Sequence, residues 1–235
     1  MRPTVRENAM QLAKPHLDVG LFTNNGEAML RFWQEEVGLE FEETLAVGGG
    51  VLQHRHAVNG SVFKLNVARD PLPPTVQSGY RELFIARDGI TAHRSLADPD
   101  GNLVTLVPHT ELWLQGIAIR IAVRDAAAFH TFYSEAMQFE PVGSHAYQCG
   151  DTIVMFDEDP SPAPAGELRA QGYRYLTVQV WDADLEYRGI LARGGFVGRP
   201  PITLGTTARF GFVRDPDGNW IEISQRRSLT GPLPD

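Results

Sequence analysis

Glu222 is a carboxylate set into the apolar stretch "NWIEIS" at 219–224. A partly buried carboxylate beside a cation and a phenol can take a proton or orient a polar ligand. His54 and His56, in "HRH", have the i, i+2 spacing with which one strand face presents two metal ligands. The same spacing fits two histidines packed under an apolar layer, and both readings stay open. Cys149 is the only cysteine. It can form neither an internal disulfide nor a thiolate zinc cage, and no histidine pairs with it by pattern to make a nucleophile. The chain has no Gly-x-Ser-x-Gly elbow, Walker loop, dinucleotide fingerprint or Cys-x-x-Cys. "VGGGV" at 47–51 precedes a hairpin and not a helix, so it reads as a turn and not as a phosphate cradle.

What must position these groups is a repeat. "DPDGNWIEISQ" at 215–225 rewrites "DPDGNLVTLVP" at 98–108, with Glu222 where the earlier copy has Thr105. Phe32-Trp33 matches Phe132-Tyr133, 100 residues later, and "SGYRELFIARD" at 78–88 matches "QGYRYLTVQVWD" at 171–182. These offsets differ because the first half lacks about 24 residues present in the second, a span that reads as a helix followed by a strand. In the second half "IAIRIAV" alternates as a strand, Asp125 offers an N-cap, and Phe129, Phe132, Tyr133 and Ala136 form one helical stripe. Strands at about 140–149 and 152–157 follow. After the proline-rich "DPSPAPAG" the pattern restarts at "YLTVQV", with Asp182 as the next cap. The first half has a strand at 17–23, a helix over about 27–37 stopped by Gly38, and a hairpin around Asn59-Gly60. Its connector is "PLPPTVQSG", and its second unit keeps only strands.

Paired β-α-β-β-β units, each pair ending in "DPDGN" and an alternating strand, resemble the vicinal oxygen chelate superfamily. That group holds glyoxalases, bleomycin-resistance proteins, fosfomycin-resistance enzymes, methylmalonyl-CoA epimerases and extradiol dioxygenases. The resemblance runs from about His16 to Gln225. It implies an α+β fold in which tandem βαβββ units form two cupped mixed sheets with helices outside, the second unit of the first half being truncated. The expected division is a tail at 1–14, a first domain at 15–109, a second at 110–227 and a tail at 228–235. The resemblance also implies a divalent metal in the cup of many members, held from the first strand of a unit, the first strand of the next and the last strand.

Strand alternation then tests those positions. In the second half Ala118 and Arg120, Tyr175, Thr177 and Gln179, and Trp220, Glu222 and Ser224 face the cup. The metal positions become Ala118, Tyr175 and Glu222, and one carboxylate cannot hold a catalytic metal. Glu222, Tyr175 and Arg120 are therefore the expected catalytic group, with Trp220, Thr177 and Gln179 as ligand contacts. In the first half the same positions carry Asp18, Glu82 and Thr105, with His16 one step above. No cofactor is expected; if Fe, Mn, Ni or Zn is bound, His16, Asp18, Glu82 or the 54/56 pair are its candidate ligands. A two-residue turn at Asn59-Gly60 would place His56 opposite Phe63, His54 opposite Leu65, Arg55 opposite Lys64 and Gln53 opposite Asn66. That register sends the histidines toward the helices. It sends Arg55 and Lys64 into the first cup with Phe22 and Phe84, opposite Asp18 and Glu82.

A net charge of −8 argues against a nucleic-acid surface. No apolar run is long enough to span a membrane, and "MRPTVRENAMQLAKPH" lacks the apolar core of a secretory signal, so a cytoplasmic setting is expected. The partner is expected to be a small, oxygen-rich organic molecule. Truncation of the second unit would open one side of the first cup, leaving it to the second half or to a second copy in a homodimer to cover. Three functions remain open. One is an enzyme of lyase or isomerase type without the usual metal triad. Another is a metal-free protein that binds or sequesters a flat organic ligand. The third is a dioxygenase relative, either metal-dependent with a non-standard site in the first half or reduced to a scaffold.

Overall fold

The computed structural model describes residues 10–73, 78–159 and 165–234. Parts of both proline-rich connectors and most of the expected N-terminal tail lie outside the described residues. Four units follow one another. The first holds β1 (Asp18–Thr23), α1 (Gly26–Arg31), β2 (Glu40–Ala46), β3 (Val51–Val58) and β4 (Ser61–Ala68). The second is three strands, β5 (Tyr80–Arg87), β6 (Arg94–Ala97) and β7 (Leu103–Pro108). The third is β8 (Ile117–Val123), α2 (Ala126–Thr131), β9 (Glu140–Gly143), β10 (Ala146–Cys149) and β11 (Thr152–Glu158). The fourth is β12 (Gly172–Gln179), α3 (Ala183–Ala192), β13 (Phe196–Leu204), β14 (Ala208–Arg214) and β15 (Trp220–Arg226), with a last turn α4 (Arg227–Thr230). The truncated unit therefore lacks a helix and a strand, as the repeat predicts.

Local chemistry explains the elements. Asp125 caps α2 by accepting from the Ala127 and Ala128 N–H groups, and Asp182 caps α3 through Leu185 N–H. Both α1 and α2 widen into a π turn at the matched aromatic pairs. Val37 N–H reaches Phe32 O and Met137 N–H reaches Phe132 O, 100 residues apart. Asn59 and Gly60 have φ of 48° and 82°, the left-handed pair that a two-residue hairpin turn needs. The hairpin register is the predicted one, with Arg55 opposite Lys64 and His56 opposite Phe63. The doubled "DPDGN" is one turn built twice. Asp98 accepts from Asp100 and Asn102 N–H, and Asp215 accepts from Asp217 and Asn219 N–H.

Two mixed sheets result, of eight and seven strands. The larger runs β13-β14-β15-β12-β1-β4-β3-β2 and the smaller β6-β7-β5-β8-β11-β10-β9. The sequence predicts one cup in each half; the structure instead builds each sheet from strands of both halves. The first unit joins the fourth through an antiparallel β1–β12 pair, Asp18 opposite Thr177, and the second joins the third through β5–β8, Glu82 opposite Arg120. Alternation reports which face of a strand is apolar; it carries nothing about which distant strand meets its edge. The second half of the chain thus completes the cup of the first unit.

One apolar core joins the backs of both sheets and the helices on them, including Trp33, Phe63, Leu83, Ile119, Phe129 and Val178. Trp33 lies 4.0 Å from Phe63, centroid to centroid. Each cup carries a smaller apolar cluster of its own. No helix among the described residues is long and apolar enough to cross a membrane.

Candidate functional site in the larger cup

Asp18, Thr177 and Glu222 stand in one row across the adjacent strands β1, β12 and β15. Lys64, on β4, reaches over this row. Its Nζ donates to Thr177 Oγ1 at 2.6 Å and to Glu222 Oε2 at 2.8 Å, and lies 3.8 Å from Asp18 Oδ2. Gly20 makes the crossing possible. It pairs with both Lys64 and Tyr175, and a Cβ there would sit 2.1 Å from the Tyr175 ring. The ring therefore lies flat over the strand, with Lys64 Nζ 5.4 Å from its centroid.

Burial makes charge costly in this row, and the groups offset one another. Burial lowers the Lys64 ammonium, opposed by the carboxylates of Glu222 and Asp18. Burial also pushes Asp18 up, but Lys64, Lys14 and hydrogen bonds from Lys14 and Gln179 together carry it below its ordinary range. Lys14 Nζ donates to Asp18 Oδ1 at 2.7 Å, and Gln179 Nε2 to Asp18 Oδ2 at 3.0 Å. The Tyr175 phenol is raised, first by burial and then by Glu222, and so stays protonated. Its oxygen is 3.3 Å from both Gln53 Nε2 and Asn66 Nδ2. Glu222 takes the hydrogen bonds of Lys64 and Thr177 on Oε2. Its other oxygen, Oε1, has no protein partner among the described residues.

Glu222 and the Lys64 that crosses the row line a cavity of about 230 Å³, while Asp18 and Thr177 are fully buried. Phe22, Tyr175, Phe210 and Phe212 line one wall, with Tyr175 and Phe212 in edge contact at 5.9 Å. Five cations, Arg55, Lys64, Arg169, Arg199 and Arg226, line it with one carboxylate among the described lining residues, Glu222; Asp18 and Glu43 pair with three of those cations from outside the lining, and the balance stays positive. In a chain of net charge −8, that is a local reversal of sign and favours an anionic ligand.

Several predicted residues meet here: Glu222, Tyr175, Gln179, Phe22, Arg55 and Lys64 line the cavity, and Thr177 orders Glu222 beneath it. Trp220 stands behind Phe212, its ring 3.8 Å from the Arg214 guanidinium and its Nε1–H donating to Gly166 O. Arg120, Phe84 and Glu82 belong to the smaller cup, which corrects their grouping with Glu222 and Asp18. Arg120 pairs there with Glu82 Oε2 at 3.2 Å and Asp157 at 3.5 Å, and lies over the Phe84 ring. Thr105, the counterpart of Glu222, donates to Glu82 Oε1 at 2.6 Å. Leu114, fully buried, fills this second cup from the 109–116 linker, with Trp113 edge-on to Phe84. Lys64 and Thr177 are thus the partners of Glu222, in place of the expected Arg120 and Tyr175. Arg226 and Glu43 escaped the sequence reading. Extending the alternation of Glu222 and Ser224 by two residues finds Arg226; nothing in "EFEETLA" marks Glu43.

The candidate metal ligands are dispersed. His16 pairs with Asp151 at 2.6 Å, Asp18 lies in the larger cup and Glu82 in the smaller. His54 bonds Thr44, while His56 is buried against Phe41 and Phe63 on the helix side and contacts Gln34 at 3.1 Å. Among the described residues no three His, Cys, Asp or Glu side chains converge. The place that the family resemblance assigns to a metal, between first and last strands, is taken by the Lys64 ammonium. A divalent ion would have to share two carboxylates and a hydroxyl with a cation already bound to them, so this donor set does not fit one. Cys149 is buried, and burial followed by Asp151 pushes its thiol up to about 12. It is no nucleophile.

The comparisons agree with this architecture. The family model of the Glyoxalase/Bleomycin resistance protein/Dioxygenase superfamily matches residues 109–223. Glyoxalase I from Zea mays superposes with a TM-score of 0.70 at 13% identity, over 92% of this chain and 92% of that one. A putative dioxygenase from Bacillus subtilis superposes with 0.64 at 14% identity, over 95% of this chain and 91% of that one. At such identities the likeness is one of fold. No curated protein matches in sequence. Residues 109–223 thus carry a domain of the Glyoxalase/Bleomycin resistance protein/Dioxygenase superfamily, and the chain as a whole has the vicinal oxygen chelate fold of tandem cupped sheets.

Proposed function

We propose that the larger cup is the active site of a lyase or isomerase that moves a proton on a small carbonyl compound, with Lys64 as its fixed cation. The observation that carries the reading is the Lys64 ammonium held between Thr177, Glu222 and Asp18, with Glu222 lining the cavity and its Oε1 without a partner among the described residues. Glu222 Oε1 takes the proton from the carbon next to the carbonyl. The electron pair of that C–H bond moves onto the carbonyl oxygen, where the remaining Lys64 N–H stabilises the negative charge. In a hydroxycarbonyl compound the hydroxyl proton then passes to that oxygen, the freed O–H pair closes the new carbonyl, and the C=C pair takes the proton from Glu222 at the former carbonyl carbon. Thr177 and Lys64 hold the carboxylate in place through Oε2, so the base is positioned before the ligand arrives.

The test is deuterium incorporation from D₂O into a panel of small hydroxyketones, aldehydes and oxo acids, followed by NMR on chelator-treated protein. At least one should exchange, and Glu222→Gln should slow it by about 100-fold or more, the size of a general-base contribution. Compounds that raise the melting temperature but exchange no faster than with Glu222→Gln would overturn catalysis. The aromatic wall of Phe22, Tyr175 and Phe212 favours a second reading for that outcome, a protein that binds and sequesters a flat organic molecule.

A further inference from the structure

The proton-transfer reading uses Lys64 alone of the five cations of the larger cup; of the other four, Arg169 bonds the Gly48 and Gly49 carbonyls and Arg199 lies over the Trp220 ring, which leaves two. Arg55 and Arg226 both line the cavity and approach the same atom, Glu43 Oε1, at 3.3 Å from Arg55 Nε and 2.6 Å from Arg226 Nη2. One carboxylate between two guanidiniums leaves a surplus positive charge. The Arg55 contact is an ion pair without hydrogen-bond alignment, since Nε has no acceptor within bonding geometry. Arg55 is 4% exposed and commits Nη1 to Gln53 Oε1 at 3.1 Å. Its Nη2 has no acceptor among the described residues. Arg226 commits Nε to Ser228 and Nη2 to Glu43, and its Nη1 likewise has none. Burial, and next the Arg55 charge, lower the Arg226 guanidinium. Of these donors Arg55 Nε is buried without an acceptor, which is costly, while Arg55 Nη2 and the half-buried Arg226 keep donors free for a ligand at the cavity they line.

We propose that Arg55 and Arg226 form an anion subsite that receives the carboxylate of the cup's ligand, which makes that ligand a small organic acid with an apolar, ring-sized body. The assignment rests on the reading of the larger cup as the working site. A planar fork on each arginine suits a planar carboxylate. Arg55 and Lys64 are direct partners in the β3–β4 register, both facing the cavity. Their Cβ atoms are then about 5 Å apart, so a carboxylate on Arg55 brings the next atoms of the ligand to Lys64 and Glu222. The body of the acid meets Phe22 and Tyr175, whose centroids are 6.2 Å apart, and Phe212 beyond them. An apolar cavity of about 150 Å³ holds benzene, and this one measures about 230 Å³.

The experiment is calorimetric titration of the full chain with phenylacetate and with its neutral isostere phenylacetamide. Phenylacetate should bind at least about 10-fold more tightly. Arg226→Gln should weaken it by about 10- to 100-fold, the range of a charge-assisted pair, while leaving the amide unchanged. Should Arg226→Gln not fold, Arg226→Lys keeps the charge and removes the fork, and should weaken phenylacetate selectively. Equal binding of acid and amide, equal loss of both in the variant, or binding of neither overturns the subsite. The same titration on Glu222→Gln separates the two readings. Acid-selective binding there, with no deuterium exchange in wild type, would keep the subsite and sink the proton transfer.

Discussion

Replacing Lys64 by methionine tests the central feature of the site. The substitution keeps a straight apolar stem and removes the ammonium. Asp18 is fully buried but retains Lys14 at 2.7 Å, the Val62 N–H at 3.0 Å and Gln179 at 3.0 Å. Glu222 retains only Thr177 at 2.6 Å, with 12% of its side chain exposed. The orphaned charge is therefore chiefly that of Glu222. Breaking a buried ion pair from one side costs about 3–5 kcal/mol, and the partial exposure of Glu222 places this case near the lower end, about 3 kcal/mol. For a chain of this length that is roughly 6–12 °C in melting temperature. Urea unfolding at pH 7, with the slope m unchanged, measures it directly. The double variant Lys64→Met/Glu222→Gln removes the orphan and should regain about 2 kcal/mol of the loss. A single variant within about 1 kcal/mol of wild type, or a double variant no more stable than the single, would refute the assignment of Lys64 as counter-ion.

Two further outcomes are expected. Gly20→Ala should cost about 1–3 kcal/mol in the same assay, because its Cβ would meet the Tyr175 ring at 2.1 Å; an unchanged midpoint would show that the ring does not rest on β1. Burial, and then His54, push the His56 imidazole down to about 4, so the unfolded chain binds more protons than the folded one between that value and about 6.5. The stability that neutral His56 contributes is complete above about pH 6.5 and is lost as pH falls through about 4, up to about 3 kcal/mol. The stability advantage of wild type over His56→Gln should shrink accordingly from pH 7 to pH 4, and a difference constant across that range would refute a neutral, buried His56.

Much of the fold was legible because its causes are local. The matched Phe32-Trp33 and Phe132-Tyr133 pairs mark equivalent helices, down to the same widened last turn. Asn59-Gly60 set a hairpin register in which Arg55 and Lys64 share a face and His56 does not. The candidate site was legible only residue by residue. Alternation assigns Phe22, Lys64, Tyr175, Gln179 and Glu222 each to a cup, but it groups Glu222 with Arg120 and Asp18 with Glu82. Arg120 and Glu82 in fact hold each other in the smaller cup, which Leu114 fills.

The order of residues along the chain therefore dictates a set of faces: four units, one without its helix, and the side chains each strand turns toward a cup. Alternation and turn chemistry act within a few residues, and they leave their pattern in adjacent letters. Only the tertiary structure decided which faces look at one another. Gln179 bonds Asp18 across 161 residues, and Lys64 bonds Glu222 across 158. Either exchange of first-strand partners would satisfy the same alternation. The observed one pairs the first unit with the fourth, and so sets a lysine where the family resemblance implies a metal.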